Sequence, residues 1–224
     1  MQLTVFNGSP RNKKSNSKIL IEEFLKGYHR VCDTPVDIHY LANIKETTSH
    51  VEAFHQSEIA IIIFPLYTDC MPGIVKNFFE EIAKLDYSSP KRVGFIVQSG
   101  FPEAVHSTYV ERYLQKLALR LNFEYLGTII KGGVEGIQVM PPRMTKKLFD
   151  KFQKLGEYFA ENEKFSAQIQ EQLRKPLRMS ATTRLLFNIL RLVGLTNLYW
   201  NSNLKKNNAY KNRFDKPYAE STLN

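Results

Sequence analysis

The sequence predicts an α/β domain built on a doubly wound parallel sheet, followed by a basic helical C-terminal extension. Three observations carry that expectation. Short strand-like apolar runs alternate with segments of helical period from Leu3 to Glu161. The run Ile59 to Phe64 is almost purely apolar between polar flanks, as expected of a central parallel strand covered on both faces. Finally, the loop GSPRNKKSNSK, Gly8 to Lys18, stands between the first apolar run and the first helix, where an α/β sheet places its ligand-binding turns.

The elements follow in order. Leu3, Val5 and Phe6 form a short β-prone run, and Ile19, Leu20, Phe24 and Leu25 recur at helical spacing in a helix ending near Val31. Val36 to Leu41 is the second strand, and a short helical stretch near His50 to Gln56 leads to the third, Ile59 to Phe64. Pro72 to Leu85 reads as a helix with proline in its first turn. Arg92 to Gln98 is the fourth strand, Tyr109 to Leu121 the fourth helix and Glu124 to Lys131 the fifth strand. Thr145 to Glu161 closes the domain, with Leu148, Phe149, Phe152, Leu155 and Phe159 on one apolar stripe. Such alternation calls for parallel strands joined by right-handed crossovers.

Composition agrees with this plan. A chain of 224 residues, 43% hydrophobic and 24% charged, suits one globular domain, residues 1–163, with an appendage at 164–224. Cys32 and Cys70 make neither a disulfide framework nor a metal cluster, so a reducing, cytoplasmic compartment is expected. The start, MQLTVFNG, has no basic stretch followed by a long apolar one, and no run of about 18 apolar residues occurs. The expectation is a protein neither exported by a signal peptide nor spanning a membrane.

The loop Gly8 to Lys18 carries the chemistry. A helix N-terminus leaves backbone N–H groups unpaired and bears a partial positive charge, so a phosphate placed there is hydrogen-bonded and electrostatically favoured. Ser9, Ser15, Asn16 and Ser17 add short donors, Arg11 a forked charged contact, and Lys13, Lys14 and Lys18 positive potential. The spacing matches neither the three-glycine dinucleotide fingerprint nor the P-loop. On this loop alone, a phosphate cradle and an ordinary turn, shaped by Gly8 and Pro10 and capped by Ser15 or Ser17, stand even.

A second stretch decides between them. GSPR followed after three residues by SNS resembles the FMN-phosphate loop of the NAD(P)H-dependent FMN reductases and related flavodoxin-like flavoproteins. FPLYTDCMPGIVKNFFE, Phe64 to Glu80, resembles that family's flavin-ring loop and the helix after it. The resemblance extends in order over residues 1–160. It implies a flavodoxin-like sheet of order 2-1-3-4-5 and a ligand at the carboxyl ends of strands one, three and four. It also implies bound FMN, NAD(P)H as co-substrate, a small electron acceptor such as a quinone or free flavin, and a homodimer. Ser9, Arg11, Ser15, Asn16 and Ser17 would then serve the phosphate. Pro65, Leu66, Tyr67, Thr68, Asp69, Cys70 and Met71 would serve the ring, through backbone groups at its polar edge and Tyr67 and Met71 at its faces. Ser99, Gly100 and Phe101 stand where the family contacts the ribityl chain or ring edge. Cys70 reads as a small buried residue, and the compact cysteine cluster of the family's iron–sulfur relatives is missing after this loop. No catalytic side chain and no metal ligand is expected, because the flavin carries the chemistry. KGGVEG, Lys131 to Gly136, is either a flexible edge of the site or a turn, with the turn favoured, and His106 reads as an exposed residue at a helix start. The rival function is a flavodoxin-type electron carrier, which holds FMN without turning over NAD(P)H.

The charge is not evenly spread. Residues 174–224 hold ten Lys or Arg against Asp215 and Glu220, a net +8, whereas the whole chain is +9. The basic character therefore belongs almost wholly to the tail. Within it, Ser180 to Val193 reads as a helix in which Ser180, Arg184, Asn188 and Arg191 share one narrow polar face. Beyond it, Leu198, Tyr199 and Trp200 precede a basic segment in which Tyr210, Phe214 and Tyr218 repeat every four residues. A tail docked on its own core or across a dimer is the first reading, and peripheral contact with a membrane the second. Nucleic acid is not expected as a partner, since no recognised module accompanies the basic residues.

Overall fold

A computed structural model describes residues 2–87, 89–192, 194 and 197–216. Val193 of the expected tail helix, the side chain of Tyr199 and Tyr218 of the aromatic repeat lie outside the described residues. The chain forms two compact units that divide after Arg178.

The first unit is organised by a five-stranded sheet in the order β2-β1-β3-β4-β5, as the resemblance implies. Its strands are β1 (Leu3–Asn7), β2 (Asp37–Tyr40), β3 (Ile59–Pro65), β4 (Arg92–Gln98) and β5 (Glu124–Lys131), and every neighbouring pair is parallel. Every residue of β3 is buried. Its Ile59, Ile61 and Ile63 join the core cluster on one face, and Ala60, Ile62 and Phe64 join the cluster on the other. That two-sided burial is the reason for its unbroken apolar composition.

The helices α1 (Asn16–Tyr28) and α5 (Pro142–Asn162) cover the first face. α2 (Thr47–Gln56), α3 (Gly73–Ile82) and α4 (Thr108–Arg120) cover the second. Pro72 stands immediately before α3 with an extended ψ of 150°, not in its first turn, and the helix stops at Ile82 rather than Leu85. α6 (Ala167–Arg174) has no counterpart among the sequence expectations, because its eight residues, AQIQEQLR, are mostly polar. A local N-cap and two tertiary contacts hold it. Ser166 Oγ accepts from the Ile169 N–H (3.4 Å), Gln170 Nε2 donates to the Thr128 carbonyl on β5 (2.8 Å), and Arg174 pairs with Glu111 on α4.

The closest approach in the unit is between α1 and α5. A Cβ added at Gly27 would lie 1.8 Å from the Gln153 carbonyl oxygen, and one added at Gly156 would lie 1.9 Å from that of Phe24. The two glycines let backbone pass against backbone, and neither position has a flexible neighbour that could yield.

On the opposite face, His39 of β2 and His50 of α2 meet Nδ1 to Nδ1 at 3.4 Å, with His39 stacked on Phe6 at 5.5 Å. Only one of the facing nitrogens can carry a proton in a hydrogen bond of this kind. Burial, seconded by the charge of His50, pushes the His39 pKa below its usual value, while Asp37 and Glu46 oppose the shift.

The second unit contains α7 (Ala181–Leu192) and α8 (Leu198–Lys206). Ser180 Oγ accepts from the Thr183 N–H (3.2 Å) at the start of α7, and Gly194, at φ 73°, follows its end. Beyond α8, Arg213 lies over the rings of Tyr210 (4.0 Å) and Phe214 (4.6 Å). Among the described residues no helix is long and apolar enough to cross a membrane.

Two outcomes follow from this packing. Gly156→Ala should lower stability in urea unfolding by about 1–3 kcal/mol or more through overpacking, whereas Gly73→Ala, with nothing within 4 Å of the added Cβ, should change it by only about 0.5 kcal/mol. For His39, the folded pKa lies below the unfolded value near 6.5, so its stabilising contribution is complete above that pH and is lost as pH falls below it. The thermal midpoint of the native chain should therefore drop more steeply on acidification below that pH than the midpoint of His39→Gln.

Candidate functional site

The carboxyl ends of β1, β3 and β4 are Asn7, Pro65 and Gln98, and the strand order reverses between β1 and β3. Three loops therefore meet at one edge of the sheet. The first is pinned by Asn7, fully buried, whose Oδ1 accepts from the Ser9 N–H (3.0 Å) and whose Nδ2 donates to Ser15 Oγ (3.2 Å). Ser15 caps α1: its Oγ accepts from the Lys18 N–H (3.2 Å) and donates to the Asn12 carbonyl (2.7 Å). Gly8 is required here by space, since a Cβ would stand 2.3 Å from Val75 Cγ2 of α3.

The second loop is a tight hairpin. Tyr67 and Cys70 exchange N–H···O bonds of 2.9 and 3.0 Å, leaving Thr68 (φ 49°) and Asp69 (φ 61°) at the tip. Two consecutive left-handed residues mark a type I′ turn, and a β-branched threonine there is strained. The hairpin's paired bonds run between Tyr67 and Cys70, and the N–H groups of Thr68 and Asp69 take no part in them. The Leu66 N–H donates to the Gln98 carbonyl (2.8 Å), which ties this loop to the end of β4.

The third loop interlocks with the segment after β5. The Ser99 N–H donates to the Lys131 carbonyl (3.0 Å), the Val134 N–H to Ser99 (3.1 Å) and the Gly133 N–H to Phe101 (2.7 Å). Gly132 permits this, because a Cβ would lie 2.5 Å from the Phe101 carbonyl oxygen. Asn16 Nδ2 donates to the Val134 carbonyl (2.9 Å), closing the frame back onto the start of α1.

The cleft between these loops, about 50 Å³, is lined by Ser9, Arg11, Asn16, Pro65, Leu66, Tyr67, Gln98, Ser99, Gly100 and Glu135. Eight of these come from the residues singled out on sequence. The remaining seven lie as follows. Ser15 and Ser17 are buried beneath the cleft, the former capping α1 and the latter accepting from Gln98 Nε2 at 3.5 Å. Thr68 and Asp69 form the hairpin tip, and Cys70, half-buried, closes it. Met71 is buried in the core cluster that includes α3. Phe101 is exposed, its ring 4.6 Å from that of His106, which lies in a short 3-10 turn before α4 and is half-exposed.

Sequence reasoning missed Gln98 and Glu135. Glu135 reaches the cleft from KGGVEG, which is a wall of the site as well as a turn. Its carboxylate stands 3.7 Å from the Arg11 guanidinium and its Oε2 would lie 3.8 Å from a Cβ on Gly100. The signal available was position: KGGVEG follows the carboxyl end of a parallel strand, as the other site loops do.

The proteins this chain is similar to can now be stated. A search of curated protein sequences finds no match. Among solved structures, the NADPH-quinone reductase from P. pentosaceus is 18% identical, covering 72% of this chain and 99% of its own, at TM-score 0.54. The FMN-dependent NADH-azoreductase from Bacillus anthracis, solved in complex with FMN, is 14% identical, covering 71% and 100%, at TM-score 0.54. The NAD(P)H:quinone oxidoreductase from Methanothermobacter marburgensis is 12% identical, covering 71% and 96%, at TM-score 0.55. At these identities the likeness is one of fold. The family defined by the flavodoxin-like fold matches residues 1–157, and the chain belongs to it.

Proposed function

We propose that the cleft binds FMN and that the protein passes electrons from NAD(P)H to a small acceptor such as a quinone or free flavin. The observation that carries this reading is the convergence, at the reversal of strand order, of the loop bearing Ser9 and Arg11, which leads into α1, with a strained hairpin tipped by Thr68 and Asp69. The solved relatives named for FMN and for quinone or azo reduction support it.

The residues fit the group in parts. The N-terminus of α1, with the Ser9 hydroxyl and the Arg11 fork, suits a phosphate dianion. Ser15 positions that N-terminus, since its hydroxyl is already engaged on both sides. The N–H groups of Thr68 and Asp69 suit the polar edge of a flavin ring, where donors favour negative charge. A cavity of about 50 Å³ does not enclose a ring system, which leaves ring contacts to exposed side chains such as Tyr67, which lines it, and Phe101, next to its Gly100 wall. Glu135 competes for Arg11, so the guanidinium is shared between a carboxylate and any incoming phosphate. When bound, FMN supplies hydride acceptance and onward electron transfer. The protein supplies position and charge, and no side chain is assigned a proton-transfer role.

The same reading takes the protein as a homodimer of the cytoplasm. Cys32 and Cys70, both free thiols, support a reducing compartment.

The first test is an anaerobic visible spectrum of the protein reconstituted with FMN, before and after NADPH or NADH. A bound-flavin spectrum that bleaches is expected. Stoichiometric FMN with no bleaching by either nucleotide would make the protein a carrier instead. In the same titration Arg11→Ala should weaken FMN binding by about 1–3 kcal/mol. Thr68→Gly should relieve the left-handed strain and raise stability in urea by about 1 kcal/mol. The same substitution should weaken FMN binding, because it loosens the hairpin tip.

A further inference from the structure

We propose that the second unit docks the protein on the headgroup surface of an anionic lipid bilayer, with α7 lying in the plane of that surface. The proposal stands whether or not the cleft binds flavin.

Two observations have to be satisfied by one partner. The first is apolar. α7 buries none of its residues, and Leu185, Leu186, Phe187, Ile189 and Leu192 are 48–82% exposed. On a helix of 100° per residue, Arg184, Asn188 and Arg191 share one narrow face, and Leu185, Leu186, Phe187, Ile189 and Leu192 occupy the rest. Contiguous exposed apolar side chains of this extent mark an interaction surface.

The second is electrostatic. Neither α7 nor α8 contains an acidic residue, and Asp215 is the one acid among the unit's described residues, against Arg184, Arg191, Lys205, Lys206, Lys211, Arg213 and Lys216. The partner must therefore be strongly negative. A second copy of this chain does not qualify, because residues 1–173 carry almost no net charge and the rest is basic. A nucleic acid would meet the cations but leave the leucines and isoleucine of α7 in water. An anionic bilayer surface answers both demands: its headgroups meet the arginines and lysines while the acyl boundary takes the apolar arc. The geometry is that of a surface helix. Twelve residues extend about 18 Å, short of the roughly 30 Å hydrocarbon core. Trp200, exposed on α8, adds an aromatic side chain of the kind that settles at the membrane interface.

The experiment uses the full-length chain with vesicles of phosphatidylcholine alone and of phosphatidylcholine mixed with phosphatidylglycerol. Trp200 is the sequence's one tryptophan, so its emission reports on this unit directly. Co-sedimentation with the anionic vesicles, weakened by salt, and a blue shift of Trp200 emission are expected, with little of either on the neutral vesicles. Arg184→Gln combined with Arg191→Gln should reduce partitioning by about fivefold per cation removed. Leu186→Ser combined with Ile189→Ser, which leaves charge unchanged, should reduce it further while the urea unfolding profile stays native-like. Absence of sedimentation on anionic vesicles, or equal sedimentation on both compositions, would overturn the proposal. So would a change of oligomeric mass in the Leu186 and Ile189 variant without vesicle binding, which would make α7 a subunit interface, or retention by RNA alone.

Discussion

The first unit depends on the complete burial of β3. A strand with no exposed residue needs a hydrogen-bonded neighbour on each edge and a helical layer on each face, because neither its backbone amides nor its isoleucines can be left to water. With right-handed crossovers, covering both faces means that the chain winds one way through β1 and β2 and the other way through β3, β4 and β5. The loops leaving β1 and β3 consequently part to opposite faces, and the gap between them is the cleft. The site is a by-product of covering the central strand twice.

What keeps the gap in shape is a hydrogen-bonded frame rather than a hydrophobic one. Asn7, Asn16, Gln98 and Ser99 are buried polar residues: Asn7 pins the first loop from within, and the other three bridge segments remote in sequence. Satisfying them fixes the loops relative to each other, since an unmade buried hydrogen bond costs more than a made one contributes. The glycines at 8 and 132 do the complementary work of letting backbones approach within this frame. The left-handed Thr68 and Asp69 are then held against their own preference by the pairing of Tyr67 with Cys70 and by the bond from Leu66 to Gln98.

Charge is concentrated at the C-terminal end of the chain, where residues 174–224 carry +8 of the total +9. Residues 1–173 are close to neutral, and ion pairs such as Arg30 with Glu157 and Arg92 with Glu163 join segments remote in sequence. Among the described residues of the second unit, seven cations face the single acid Asp215, and the apolar side chains of α7 are exposed. Its internal contacts, Arg213 across Tyr210 and Phe214, use the cations as packing surface and leave their charge in place. A whole-chain isoelectric point averages over this division and describes neither half.

By itself the sequence determined the five strands, the main helices between them and the positions of the loops after β1, β3 and β4, because strand burial and helix amphipathicity are written in apolar periodicity. The sheet order came by resemblance. Other features were decided only in three dimensions. α6 is a short polar helix whose stability comes from Thr128 and Glu111 on other elements, so no local period announces it. Met71 reads as a ring contact in a loop but is buried in the core beside α3. Glu135 reaches Arg11 across 124 positions of chain, and the close crossing of Gly27 and Gly156 joins helices slightly more distant still. The common reason is range: a pattern along the chain reports which face of an element is buried, whereas a pairwise contact between distant segments exists only once the fold has brought them together.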